Sequence, residues 1–279
     1  MAERSSLFES VQIGVETTPG TAVAAGKKLL ATSFEVSPNP DVSVFRPNGY
    51  KFATIASLNR EWVEGSITGQ MSYTDLTYLL SSLITTDTPA TSGTTGQEWV
   101  FTSDSDGPDT PKTYTIEQGS SVRAHEFAHG LVTGLTLSFN NDGCEVDGSF
   151  IGEALTDGIT MTSTPTEIAL QPVMRTQVQV YAEDSAAALS GATALARVLS
   201  AEWSLTDRYA PVWTLNGTTT WDAFVESEPT GEVKIMMEAD AAGMGLLTTM
   251  RAGDTKFIRI EAVGPQSGAG PATYKLTID

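Results

Sequence analysis

One hairpin pattern constrains the fold of this chain more than any other feature of its sequence. Apolar and polar residues alternate along residues 131–139 and again along 144–152, the period of half-buried strands. The Asp-Gly pair at 142–143 separates the two runs and predicts a tight turn with positive φ angles. One face of the predicted hairpin carries Leu131, Leu135, Leu137, Phe139, Val146 and Phe150, and the other carries Thr136, Ser138, Glu145, Asp147 and Ser149.

The rest of the chain predicts a mainly β fold with two short helices. Alternation recurs at 34–37, 201–206, 232–238 and 273–278. Helical spacing of apolar residues occurs at Leu76, Leu79, Leu80 and Leu83, with Thr74 or Asp75 as N-cap, and more weakly at Met244, Leu247 and Met250. We interpret 38–60 and 85–111 as loops, the second of them rich in Thr, Ser, Gly, Asp and Pro.

The order of these elements repeats within the chain. An offset of 167 residues aligns 11–18 with 178–185, 34–37 with 201–204, and 79–80 with 246–247. The offset predicts a duplication, with one half at 1–160 and the other at 161–279. Chance matches between β-rich segments are the alternative. In a duplicated chain the second copy lacks the returning strand of the hairpin, so a strand edge would pair with a neighbouring subunit.

Charge and composition exclude several classes of protein. The chain has 16 Lys and Arg against 34 Asp and Glu, a formal charge of −18, which argues against gripping a phosphate backbone. A single cysteine, Cys144, excludes an intrachain disulfide framework. No apolar run is long enough for a membrane helix, and residues 1–6 lack the apolar stretch of a signal peptide, so we expect synthesis in the cytoplasm and no membrane partner.

His125 and His129 enclose an H-E-x-x-H pattern, the signature of zinc proteases. That chemistry needs both histidines on one helical face, but β alternation begins directly afterwards at Leu131. In a strand, residues four apart are separated by about 13 Å, too far to share one ion easily. We therefore interpret the pair as exposed strand or loop histidines, and the sequence predicts no metal, no cofactor and no catalytic centre.

Residues 11–25 resemble the opening of tail tube (major tail) proteins of long-tailed bacteriophages, and residues 130–153 are similar to the hairpin of that family. The resemblance implies a β-sandwich or barrel flanked by a short helix. It also implies rings that stack into a hollow tube in the virion, whose channel is lined by hairpins and conducts DNA. The implied partners are the chain itself and the tail tip, tail terminator and length-setting proteins, while DNA passes without specific binding.

A channel that conducts DNA should repel phosphates, so carboxylates and hydroxyls on the polar strand faces are the candidate lumen residues. They are Thr136, Ser138, Glu145, Asp147 and Ser149 in the first half, and Glu202, Ser204, Glu232 and Glu238 in the second. Lys234 departs from this pattern, and we expect Glu232 or Glu238 to neutralise it.

Two tube-like halves in one chain predict a trimeric ring with pseudo-sixfold symmetry, with a true hexamer as the alternative. The segments 38–60 and 85–111 are candidates for ordering on ring stacking. The competing functions are a different virion or surface β-module for decoration or receptor binding, and a zinc hydrolase through His125 and His129.

Overall fold

The computed structural model describes residues 9–86, 88–92, 96–239, 241–267 and 272–279. The predicted leaderless start at 1–6 lies outside these residues. The strands are β1 (Ser10–Val15), β2 (Lys27–Leu29), β3 (Thr32–Phe45), β4 (Ile55–Gln70), β5 (Ala90–Ser92), β6 (Gly96–Glu98), β7 (Tyr114–Gly119), β8 (Ala124–Phe139), β9 (Cys144–Gly152), β10 (Thr156–Ile159), β11 (Thr166–Glu167), β12 (Val178–Glu183), β13 (Val198–Thr206), β14 (Tyr209–Val212), β15 (Ala223–Glu226), β16 (Thr230–Met237), β17 (Phe257–Gln266) and β18 (Thr273–Ile278). The helices are α1 (Leu76–Leu83) and α2 (Ala241–Ala252), with short 3-10 turns at Arg175–Gln177 and Ala186–Gly191. The predicted mainly β fold is confirmed.

A six-stranded antiparallel sheet dominates the architecture. Its strand order is β3-β4-β9-β8-β13-β16. A second sheet, in the order β11-β2-β1-β7-β8, shares the long strand β8 with the first. The early residues of β8 pair with β7 and β10, and the residues from Leu131 onward pair with β9 and β13. Because β8 belongs to both sheets, it joins them into a sandwich.

The core lies between these two sheets and is closed by α1. Phe34, Ile67 and Leu135 face it from the six-stranded sheet, and Ile13 and Ile116 from the other sheet. The predicted helix is confirmed, since Leu76, Leu79, Leu80 and Leu83 are all buried. Asp75 occupies the N-cap position, but its carboxylate accepts from Ala31 N (2.9 Å) and Thr32 Oγ1 (3.2 Å) instead of capping the helix.

The hairpin β8–β9 is confirmed, but its turn differs from the prediction. Neither Asp142 nor Gly143 has a positive φ angle. Instead, the side chain Oδ1 of Asn140 accepts from Asp142 N (2.8 Å) and Gly143 N (3.0 Å). These side-chain hydrogen bonds close a turn that is longer than a two-residue hairpin loop. The positive φ angles of a two-residue loop are therefore not needed here.

The interpretation of 38–60 as a loop is wrong. Strands β3 and β4 continue through most of this segment as a two-stranded ribbon, paired from Thr32↔Gly69 to Phe45↔Ile55. We call residues 39–62 the arm, because β4 meets β9 only from Val63 onward. Both faces of the arm are open to solvent, so the arm has no buried face to predict it as a half-buried strand. Pro38 and Pro40 of β3 are tolerated because β3 is an edge strand.

The second predicted loop, 85–111, contains the short hairpin β5–β6. Residues 87 and 93–95 of that segment lie outside the described part of the chain. The remaining part of the molecule consists of the three-stranded sheet β12-β17-β18 and the hairpin β14–β15. These elements follow residue 161 in sequence and complete the described fold.

Candidate functional site: the polar face and open edges of the sheet

Polar side chains form rows across one face of the six-stranded sheet. In one row, Thr68, Asp147, Thr136, Ser204 and Glu232 stand opposite one another on successive strands. The next row contains Glu145, Ser138, Glu202 and Lys234. Ser149 belongs to the same surface, where its hydroxyl lies 2.9 Å from Thr133 Oγ1. We call this surface the polar face.

Eight of the nine predicted site residues therefore share one surface, although they come from four strands and from both halves of the sequence. Glu238 is the exception. It lies one residue beyond the end of β16 and forms an ion pair with Arg197. Residues at alternate positions share a face only within a strand. Alternation along β16 therefore assigns no face to residues after Met237.

The polar face also carries acidic residues that were not predicted. Glu35 of β3 and Glu64 of β4 share the parity of Ser66 and Thr68, and Ser66 Oγ donates to Glu35 Oε2 (3.4 Å). The signal was available in the sequence, because Glu64, Ser66 and Thr68 alternate with apolar or small residues. The strand prediction did not reach this segment.

Cations are rare on this sheet. Its six strands, all within the described residues, contain only Arg60 and Lys234. Lys234 Nζ lies 2.9 Å from Glu202 Oε1 and 3.0 Å from Glu232 Oε2. Hydrogen bonds to these two carboxylates hold the pKa of Lys234 above its usual value. Neutralisation by Glu232 agrees with the prediction, whereas the second partner is Glu202 and not Glu238.

The H-E-x-x-H pattern lies on a strand. His125 and His129 both belong to β8, and His129 has a positive φ of 57°. The expectation that both are exposed is wrong: His129 is buried, and His125 is half-buried because β7 and β10 flank this part of β8. Burial lowers the pKa of His125.

His129 has structural partners. Its ring stacks on Trp221 with 3.9 Å between the centroids, and its Nδ1 lies 3.0 Å from Glu153 Oε1. Its backbone N–H donates to Glu16 Oε1 (2.8 Å). Within the described residues, no group of three His, Cys, Asp or Glu side chains is arranged to hold a metal ion. The contacts assign His129 to the packing of the core at the point where β8 passes between sheets.

The two edges of the six-stranded sheet are open. Among the strands that the structure describes, β3 pairs only with β4, and β16 pairs only with β13. Since all five pairings are antiparallel, β3 and β16 run in opposite directions. Unpaired edges of this kind are templates for pairing with another chain.

The arm carries a second uncovered surface. Large apolar side chains are exposed at its end, with Phe52 at 72% and Tyr50 at 62% of their full accessibility. The exposed set comprises Val42, Val44, Phe45, Tyr50, Phe52, Ile55 and Leu58. A concentration of exposed large apolar side chains on a chain of net charge −18 makes the arm a candidate interaction site.

A buried arginine, which the sequence analysis missed, connects β14 to the first half of the chain. Arg208 is fully buried and forms an ion pair with Asp109, and its Nη1 lies 3.0 Å from Glu226 Oε1. Its Nε donates to the carbonyl of Leu83 at the end of α1 (3.2 Å). Burial raises the pKa of Asp109, but donors from Asp104 N, Ser103 and Thr85, together with Arg208, outweigh it and leave the pKa below its usual value.

Comparison with known proteins finds a protein family that matches most of the chain. A family model described as phage tail tube protein matches residues 9–265. No curated protein matches the sequence. None of the helices in the described part of the chain has the length and hydrophobicity needed to span a membrane.

Proposed function

Because this chain belongs to the phage tail tube protein family, we propose that three copies of it close into a ring whose channel is lined by the polar face. As a member of the family it is a structural protein of the virion, and it assembles with itself into the tail tube. The observation that carries the proposal is the six-stranded sheet with one acidic face and two open edges.

The directions of the two edge strands favour a ring in which each copy contacts the next head to tail. Since β3 and β16 run in opposite directions, β16 of one copy can pair antiparallel with β3 of the next, and the alternation of strand directions continues around the ring. A contact between two different surfaces closes into a ring when the rotation that relates one copy to the next is a simple fraction of a full turn. The result is a barrel without free edges.

The width of the barrel favours three copies over six. Three sheets of six strands bring eighteen strands to the barrel. With strands about 4.8 Å apart and tilted by about 40°, the backbone circle is roughly 36 Å across, which leaves a channel of about 25 Å inside the side chains. Six copies would double the backbone circle to roughly 70 Å. The narrower barrel admits a DNA double helix with little clearance.

The order of strands supports two tube-like halves, 1–160 and 161–279. In the first half, β1 pairs with β7 and β7 with β8, and in the second half β12 pairs with β17 and β17 with β18. The strand pairs β3–β4 and β13–β16 both lie in the six-stranded sheet, and each is followed by an α-helix. A trimer of such chains has pseudo-sixfold symmetry.

The charges of the polar face suit a channel that must release DNA. Each accessible Lys or Arg would neutralise a phosphate and hold the polymer. The polar face presents carboxylates from β3, β4, β9, β13 and β16, and its cation Lys234 is held between two of them. DNA therefore meets a weakly repulsive wall and passes without specific binding.

The arm is the proposed contact between stacked rings. It extends from the sheet at the end opposite the turn of β8–β9, so its exposed aromatic and aliphatic residues reach beyond the body of the subunit. Burying them against the next ring removes a large apolar surface from water. We expect the tail tip, tail terminator and length-setting proteins to contact the terminal rings and the channel.

Electron microscopy of the purified chain tests the proposal. We expect hollow stacked rings with threefold symmetry, with three copies per ring by native mass spectrometry, and with Asp147 and Glu202 facing the channel. Rings of six copies, or a barrel that turns its apolar face to the channel, would contradict it. A chain that stays monomeric at high concentration would count against self-assembly through these edges.

A further inference from the structure

The two α-helices follow comparable strand pairs but differ in how well they are covered. In α1, six of the eight residues are buried. In α2, the structure describes the side chains from Gly243 to Ala252, and none of these is buried. Met244, Leu247 and Met250 are exposed by 51%, 37% and 69%. The helix makes no extensive contact with any described helix or strand, so the described part of the chain does not cover its apolar side.

The neighbouring sheet edge is also incompletely covered. Val233 of β16 stands opposite Trp203, which stands opposite the buried Leu137, so all three point to the apolar face of the sheet. Val233 is nevertheless 41% exposed. In the first half, β9 and β8 lie beyond β4, and β8 packs against α1, whereas β16 has no described strand beyond it. The helix and the strand edge indicate, independently, that the core of the second half is open on this side.

We infer that α2 docks on a second copy of this chain, namely the copy whose β3 pairs with β16. The inference rests on the proposed ring, since it uses the same sheet edge. Thr32 at the start of β3 and Val233 of β16 belong to one row of cross-strand pairs through the sheet. When the two edges join, the start of β3 in one copy therefore lies at the same end of the barrel as the end of β16 in the other copy. The helix α2 follows β16 and lies at that end too.

Both sides of the proposed contact offer exposed apolar side chains. Leu30, two residues before β3, is 41% exposed and supplies an apolar side chain at the start of the receiving edge. Between Gly243 and Ala252, Arg251 is the only charged residue. Packing this helix against an apolar surface thus removes Met and Leu side chains from water while requiring little desolvation of charge.

A pair of charge variants in the full chain tests the docking. Met244→Asp with Met250→Asp places two carboxylates on the apolar side of α2. Gly245→Asp with Ala252→Asp is the matched control, because helical spacing turns these exposed positions away from that side. We expect the first variant to keep the circular dichroism of wild-type monomer and to reduce the ring fraction in sedimentation roughly tenfold or more. The control should assemble as wild type does.

Cross-linking in assembled tubes provides a second measurement that does not depend on the stability of the charge variant. Cys144 is buried, and burial raises the pKa of its thiol to about 11, so it does not compete in mild oxidation. Leu30→Cys combined with Met250→Cys should give disulfide-linked multimers, and Leu30→Cys combined with Gly245→Cys should not.

The outcomes separate the inference from the proposed function. Threefold tubes of wild type, with normal assembly of Met244→Asp/Met250→Asp and no linkage between positions 30 and 250, would overturn the docking of α2 and leave the tube intact. Linkage confined to single chains would overturn it as well. Absence of rings from wild type would overturn both.

Discussion

The buried ion pair of Arg208 with Asp109 allows a quantitative test of a contact between two distant segments of the chain. Replacing Arg208 by Ala removes the partner of Asp109, the contact with Glu226 and the hydrogen bond to the Leu83 carbonyl. Breaking a buried pair in this way costs about 3–5 kcal/mol of folding free energy, because the remaining charge is left in the interior.

The surroundings of Asp109 favour the lower end of that range. Its carboxylate still accepts from Thr85 Oγ1 (2.8 Å), Ser103 Oγ (2.8 Å) and Asp104 N (3.0 Å) in the variant. The Leu83 carbonyl also keeps the hydroxyl of Tyr209 as a donor (3.0 Å). We therefore expect Arg208→Ala to lower the free energy of unfolding by about 3 kcal/mol.

Urea unfolding of the unassembled chain, followed by tryptophan fluorescence, measures this difference. Arg197→Ala is the matched control, since Arg197 forms an ion pair with Glu238 in which its side chain is 63% exposed. An exposed pair contributes about 0–1 kcal/mol, so the control should stay close to wild type. A loss below 1 kcal/mol for Arg208→Ala, or equal losses for both variants, would refute the reasoning.

Three further predictions concern the polar face, the histidine cluster and acid stability. Asp147→Lys should leave folding and tube formation unchanged but make the channel retain DNA in a salt-dependent way, and DNA release equal to wild type would contradict the repulsive wall. Trp221→Ala should destabilise the chain by about 3–5 kcal/mol in urea, because a fully buried ring stacked on His129 is lost. Because the pKa of Asp109 is lowered in the fold, its stabilising contribution is complete above the unfolded pKa and is lost progressively below about pH 5 as protons bind. Asp109→Asn should therefore flatten the acid side of the stability profile, and an unchanged slope would exclude this role.

Much of the polar face could be predicted from the sequence, because strand alternation is a local property. Side chains two residues apart share a face whatever the rest of the chain does, so Glu145, Asp147 and Ser149 could be grouped before any pairing was known. Strand alternation also predicts the hairpin β8–β9, and the helical period of 3.6 residues, which is equally local, predicts the leucines of α1. The alternation rule holds only within a strand, and Glu238 lies one residue beyond the end of β16, so the rule does not assign Glu238 to either face.

Local patterns also carry little information where a strand has no buried face. Solvent covers both sides of the arm, so burial imposes no alternating pattern on its sequence, and local rules predict a loop there. The positive φ of His129 and its burial against Trp221 likewise depend on segments far along the chain. No spacing within H-E-x-x-H distinguishes this buried strand from an exposed one.

The sequence by itself determined the family resemblance, the acidic balance, the strand periodicity and which side chains share a strand face, since each depends on composition or on neighbours within a few residues. Only the tertiary structure decided that β8 pairs with the distant strand β13 and that Arg208 is buried against Asp109 and α1. It also decided that β3 and β16 are the open edges among the described strands. These features depend on contacts between residues far apart in the chain. Their positions follow from how whole strands pack, and no local pattern records that packing.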